Sequence, residues 1–116
     1  MSRKTCLKVK FYKTTTGNEP VREWLKTLSP DKKKTIGEDI KTVQFGYPIG
    51  MPLVRMINKK YRLEEVRSIF SDGIARVIFC KKDSYLILLH GFIKKKEKTP
   101  QKDIDVAITR YKLVSI

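Results

Sequence analysis

One stretch constrains the fold more than any other: Tyr85-Leu86-Ile87-Leu88-Leu89-His90-Gly91-Phe92-Ile93-Lys94-Lys95-Lys96-Glu97-Lys98. It opens as an unbroken apolar run of strand length. A strand with one face in water would alternate, so this run predicts a strand covered on both faces. It then reaches the single histidine of the chain, a glycine and a phenylalanine, and ends in a burst of lysines. A buried strand that delivers a titratable ring, an aromatic and cations to its exit end can build a rigid polyanion site. The plain alternative is a core strand followed by a solvated charge run.

Two more predicted strands precede it. Tyr61 to Phe70 closes on Ser71-Asp72-Gly73, and Ile74 to Cys80 closes on Lys81-Lys82-Asp83-Ser84. Asp-Gly between apolar runs is a strong hairpin signal. The three runs predict an antiparallel meander.

Near the N-terminus, Leu7, Val9 and Phe11 alternate with Lys8, Lys10 and Tyr12, which predicts a half-buried strand from Cys6 to Tyr12. Thr14 to Asn18 forms a turn, with Asn18 placed to cap a helix that has Pro20 in its first turn. Val21, Trp24, Leu25 and Leu28 mark one helical face, on which Trp24 is a core anchor. Ser29-Pro30-Asp31 restarts a helix with Ile36, Ile40 and Val43 inward, ending at Gly46. The two helices should form a hairpin. Tyr47 to Pro52, with two prolines and a glycine, is a loop. The pattern of Leu53 to Lys60 is ambiguous. Thr99-Pro100 predicts the start of a last helix, with Ile104, Ala107, Ile108 and Tyr111 on one face. The expected order is β-α-α-β-β-β-α. This is a single α+β domain over residues 1–116, its helical hairpin and C-terminal helix packed on a small, mostly antiparallel sheet.

Charge narrows the function. Lysine and arginine number 26 against 12 acids, a net charge of +14 on 116 residues. Such a domain favours a polyanionic partner, nucleic acid first. An anionic membrane is disfavoured, because no predicted helix is both basic on one face and strongly apolar on the other. No apolar run approaches the roughly 18 residues that span a bilayer, and the N-terminus shows no signal-peptide core. Cys6 and Cys80 are expected as reduced core thiols in a cytoplasmic protein. Two cysteines and one histidine in unrelated positions are poor zinc material, so neither metal nor cofactor is expected.

Parity decides which cations converge. If the turn after Phe70 has two residues, either Ser71-Asp72 or Asp72-Gly73, then Arg67 and Arg76 share a sheet face; three residues would separate them. In the next turn, a three-residue Lys82-Asp83-Ser84 would put Arg76 opposite His90, with Phe92 and Lys94 on the same face. A two-residue turn would send them apart. Both arginines interrupt apolar strands, so desolvation should make them seek partners. For Arg67 that partner could be Glu64 or Glu65, or solvent at a sheet edge.

These residues carry a family resemblance. Val9-Lys10-Phe11-Tyr12 is followed by Gly17-Asn18-Glu19-Pro20-Val21-Arg22-Glu23-Trp24-Leu25. Then come Leu63-Glu64-Glu65-Val66-Arg67, Ala75-Arg76-Val77-Ile78-Phe79, and Leu89-His90-Gly91-Phe92-Ile93-Lys94-Lys95 with Lys98-Thr99-Pro100, Ile104 and Ala107. As an ordered set covering nearly the whole chain, they resemble the RelE superfamily of bacterial toxins, nearest its HigB-like, phage-derived branch. The resemblance implies a ribosome-dependent endonuclease that cleaves mRNA without a metal. It also implies inhibition by a helix-turn-helix antitoxin of the HigA type. Arg67, Arg76, Lys94 and Lys95 match basic positions of the family's active site, and His90 and Phe92 lie within the matching motif.

On chemical grounds Arg67 and Arg76 suit electrostatic stabilisation, since arginine keeps its proton. His90 titrates in the useful range, and a lysine ringed by cations such as Lys94 could share proton transfer. Phe92 could stack an unpaired base, and Lys95, Lys96 and Lys98 could hold phosphates. Two other readings use the same features. A ParE-like gyrase poison has this scaffold without ribonuclease chemistry, and a non-catalytic RNA-binding protein would share the charge without needing a histidine.

Overall fold

The predicted meander forms and gains a strand. In the computed structural model, which describes residues 6–114, the elements are β1 (Lys8–Phe11), α1 (Pro20–Lys26), α2 (Pro30–Gly46) and β2 (Val54–Asn58), then β3 (Leu63–Phe70), β4 (Gly73–Lys82), β5 (Tyr85–Lys94) and α3 (Gln101–Lys112). The additional strand, β2, occupies the stretch whose pattern was ambiguous. Only Val54 is buried in it, and its register with β3 shifts between Met56 and Asn58. A strand with one buried residue and an irregular ladder leaves no period-two trace in sequence.

The sheet order is β1-β5-β4-β3-β2. β1 runs parallel to β5, and the other neighbours are antiparallel. The unbroken apolar run of β5 is explained by cover on both faces. Leu86 and Leu88 share a core with Val21 of α1 and Ile36, Ile40 and Val43 of α2, which lie on this face. Ile87 and Leu89 pack with Ala107 of α3. The domain therefore has three layers, and α3 is the one helix over the face that carries the arginines.

Trp24 is the anchor its position predicted, packed against the hairpin-side core. Its ring lies so close to β5 that a Cβ at Gly91 would come within 2.4 Å of Trp24 Cε3. Only glycine fits there.

Several local expectations are corrected. Cys6 lies outside β1 and is exposed, whereas Cys80 is buried as expected. Asn18 does not cap α1. The N-cap is Glu19, and the Asn18 amide instead donates to Thr14 Oγ1 at 3.0 Å, closing the preceding loop. Ser29 does cap α2, accepting from the Lys32 amide at 3.3 Å. β3 begins two residues later than expected, because Asn58 Oδ1 accepts from the Tyr61 amide and Arg62 takes a positive φ. Thr99 is not the cap of α3 either; that position is Pro100. The Thr99 hydroxyl is used elsewhere.

Candidate functional site

The turn between β3 and β4 has two residues, Ser71 and Asp72, since Phe70 pairs with Gly73. Arg67 and Arg76 are therefore direct cross-strand partners. The turn between β4 and β5 also has two residues, Asp83 and Ser84, since Lys82 pairs with Tyr85. By turn length alone Arg76 should face away from His90, Phe92 and Lys94. The register, however, shifts between Ile78 and Phe79, leaving Leu89 as the additional residue of β5. This bulge restores the parity. Arg76 then pairs with Phe92, Ile78 with His90, and Ile74 with Lys94. The expected shared face is real, but a bulge produces it rather than a three-residue turn, and Phe92 rather than His90 stands opposite Arg76.

Above this face runs the connection from Lys94 to Pro100, and it closes over the arginines. Arg76 is fully buried, and its Nη1 donates to Thr99 Oγ1 at 3.3 Å. Thr99 in turn donates to Glu65 Oε1 at 2.7 Å. Glu65 is also fully buried, and its Oε2 lies 3.7 Å from Arg67 Nη1. Arg67 Nη2 donates to Glu97 Oε1 at 2.8 Å, and Arg55 Nη1 donates to the Glu97 carbonyl at 3.2 Å. Arg76 Nε and Nη2 make no protein hydrogen bond. Burial lowers the pKa of Arg76; Glu65 and Glu97 oppose this, while Arg67 and Arg55 add to it. The cluster is thus two buried cations held by one buried and one exposed carboxylate.

His90 sits in a separate arrangement. Its Nε2 is 2.7 Å from Asp103 Oδ1, and Arg110 Nη1 is 3.4 Å from Nδ1 while donating to the Leu89 carbonyl at 2.8 Å. With a carboxylate on one nitrogen and a cation on the other, the neutral ring carries its proton on Nε2. Burial pushes its pKa below the usual histidine value; Asp103 opposes the shift and Arg110 adds to it. Both nitrogens are occupied, so proton transfer by His90 requires one of those contacts to open.

Phe92 is buried between these groups. His90 stacks on it at 5.3 Å between centroids, and the Arg76 guanidinium carbon lies 6.0 Å from its ring centre. In this position it spaces the histidine from the arginines and is not a platform open to solvent. Lys94 is half-buried at the end of β5, while Lys95, Lys96 and Lys98 are exposed. Lys96 and Lys98 line a shallow cavity of about 310 Å³ with Thr99, Pro100 and Gln101. A larger groove of about 410 Å³, lined in part by Phe11, Tyr12 and Leu113, contains none of the predicted site residues.

Sequence reasoning missed Thr99, Glu97, Asp103, Arg110 and Arg55. Thr99 resembled a cap, and the pairing of Asp103 with His90 depends on how α3 is docked. Glu97 did leave a signal: it is the sole acid between Lys94 and Lys102.

This three-layer arrangement is that of a small RelE-like α+β domain. The chain belongs to the phage-derived Gp49-like protein family (DUF891), whose sequence profile matches residues 23–112. The match contains every residue of the arginine and histidine clusters. The family is associated with RelE-like toxins of toxin–antitoxin pairs, which implies an antitoxin partner in general. No curated protein matches the chain. Among the described residues no helix is long and apolar enough to cross a membrane.

Proposed function

We propose that the chain is the toxin of a toxin–antitoxin pair, of the HigB-like branch, and that it cuts mRNA on the ribosome. The observation that carries this reading is the Arg67–Arg76 pair. Two cations are held side by side under a lysine-rich connection, on a scaffold whose family is associated with toxins. Two arginines directly opposed on a sheet repel each other. A site that must meet a developing phosphorane charge gains from that concentration of donors.

The chemistry is transesterification within the RNA strand. The ribose 2′-oxygen forms a bond to the adjacent phosphorus as its proton leaves. The bond from phosphorus to the 5′-oxygen breaks, and that oxygen takes up a proton. The products are a 2′,3′-cyclic phosphate and a 5′-hydroxyl. Arg76 and Arg67 stabilise the charge on the phosphorus oxygens, with the Arg76 Nε–Nη2 edge forming the fork that fits two of them. Glu65 and Thr99 hold the arginines in position. Proton transfer is assigned to His90 and Lys94 together. Lys95, Lys96 and Lys98 draw in the strand. A helix-turn-helix antitoxin of the HigA type is the proposed inhibitor, neutral or acidic, covering the basic surface or blocking ribosome entry.

The test is induction of the toxin alone, followed by mapping of mRNA ends. The expected result is arrest of translation, with new ends inside coding regions that carry cyclic phosphates. Intact mRNA accompanied by a DNA-damage response would point to a gyrase poison instead. Ribosome or RNA binding without cleavage would leave a binding protein.

A further inference from the structure

We infer that the carboxylate of Glu97 holds the place on Arg67 that an RNA phosphate takes, so that the free protein is closed by a mimic of its own ligand. This rests on the ribonuclease reading, and it adds the way the site is reached.

Three observations carry it. First, the cation pair is inaccessible as it stands: Arg76 is fully buried and the Arg67 side chain is only 3% exposed. A polyanion can reach them only if the connection above them gives way. Second, the connection is fastened unequally. Its C-terminal end is secured by buried Thr99, bonded to both Arg76 and Glu65. Its middle is fastened at Glu97 by two contacts: the side chain, 74% exposed, bonds Arg67 at 2.8 Å, and the backbone carbonyl accepts from Arg55 at 3.2 Å. A pair with one member in water is weak and easily exchanged. Third, the flanking charge has the wrong sign for Glu97 to be there by default. Lys94, Lys95, Lys96, Lys98 and Lys102 surround it in sequence. Among exposed lysine side chains, its carboxylate turns inward to the arginine.

A carboxylate and a phosphodiester present the same feature to a guanidinium: two oxygens sharing one negative charge. The exchange therefore breaks one charge-assisted hydrogen bond and forms another of the same kind. The lysines supply the bias toward RNA, since a strand brings several phosphates to them and Glu97 brings one charge. Released from Arg67, Glu97 swings into water with little loss.

The test is binding of a ten-nucleotide RNA with 2′-O-methyl groups, which cannot be cut, measured by fluorescence anisotropy at fixed salt. Three variants are compared with the parent: Glu97→Gln, Glu97→Asp and Asp72→Asn. Asp72 is a control for charge alone, being an exposed acid that lies near Lys95 and bonds Lys32. Glu97→Gln should bind about three- to fivefold more tightly than Asp72→Asn, the modest range of an ion pair whose carboxylate is in water. Glu97→Asp should stay near the parent. Equal affinities for Glu97→Gln and Asp72→Asn, or weaker binding by Glu97→Gln, would overturn the proposal. Because Glu97 is exposed, both of its variants should fold, and thermal melting checks this. Since the probe cannot be cut, the result is independent of cleavage. A toxin that leaves mRNA intact refutes the ribonuclease reading by the separate mapping experiment.

Discussion

Arg76 and Phe92 face each other across β4 and β5, with the guanidinium carbon 6.0 Å from the ring centre. That contact exists because β5 has one residue more than the ladder requires. It gives a buried arginine an apolar wall with a negative π-face, while Thr99 supplies its hydrogen bond.

Removing Arg76 should therefore cost stability as well as function. Arg76→Ala leaves Glu65 buried with fewer positive neighbours, and breaking a buried charge network costs on the order of 3–5 kcal/mol. Adding Glu65→Gln to Arg76→Ala should recover part of that loss in urea unfolding. A double variant no more stable than Arg76→Ala would show that Glu65 does not depend on the arginine.

Lys94 offers a cleaner probe of activity. It is half-buried at the end of β5 and belongs to no ion pair among the described residues. Lys94→Ala should slow mRNA cleavage by about 10² to 10⁴, the range for losing a general acid or base, with an unchanged melting temperature. Normal growth arrest by folded Lys94→Ala would remove it from the site.

The His90 arrangement predicts a pH dependence. Its folded pKa lies below the ordinary histidine value, chiefly through burial. The unfolded chain therefore binds more protons near that value, and stability rises with pH there. The contribution is complete above about pH 6.5, the unfolded value, and is lost as pH falls through the lower folded pKa. Melting temperatures of the parent should drop on acidification through this window, and those of His90→Gln should drop less. Parallel curves would mean that another group sets the dependence.

Gly91 should tolerate no side chain. Gly91→Ala puts a methyl 2.4 Å from the Trp24 ring, and overpacking of this kind costs about 1–3 kcal/mol. Denaturant midpoints of the two proteins decide it; equal midpoints would mean that α1 moves aside freely.

RNA binding should fall steeply with salt. For a single strand the slope of log K against log salt is about −0.7 per phosphate neutralised. Replacing Lys95 and Lys98 with alanine should thus flatten it by about 1.4. An unchanged slope would place the phosphate contacts elsewhere.

How much of this was legible depended on the range of each interaction. The core strand Tyr85 to Leu89, the Trp24 face and the Ser29 cap follow from local period and short-range chemistry, so they could be read directly; the Arg67–Arg76 pairing was legible only up to the length of the turn, which the structure fixes at two residues. The Leu89 bulge could not, because an additional residue in a wholly apolar run changes no pattern. Nor could the pairing of His90 with Asp103 or of Arg67 with Glu97, 13 and 30 residues apart. Those depend on where α3 and its connection lie on the sheet. Thr99 misled because a hydroxyl before proline is good helix-start chemistry, and tertiary contacts took it instead.

The bulge also makes the site sensitive to strand length. One in-frame codon inserted between Gly91 and Phe92 would leave every coded residue of the site present. It would nevertheless turn Phe92 and Lys94 toward the face covered by α1 and α2, since side chains in a strand alternate. Among relatives of this chain, the count of residues between Tyr85 and Lys94 is therefore as informative about a working site as the residues themselves. A gene could lose the site by three added bases without a single substitution.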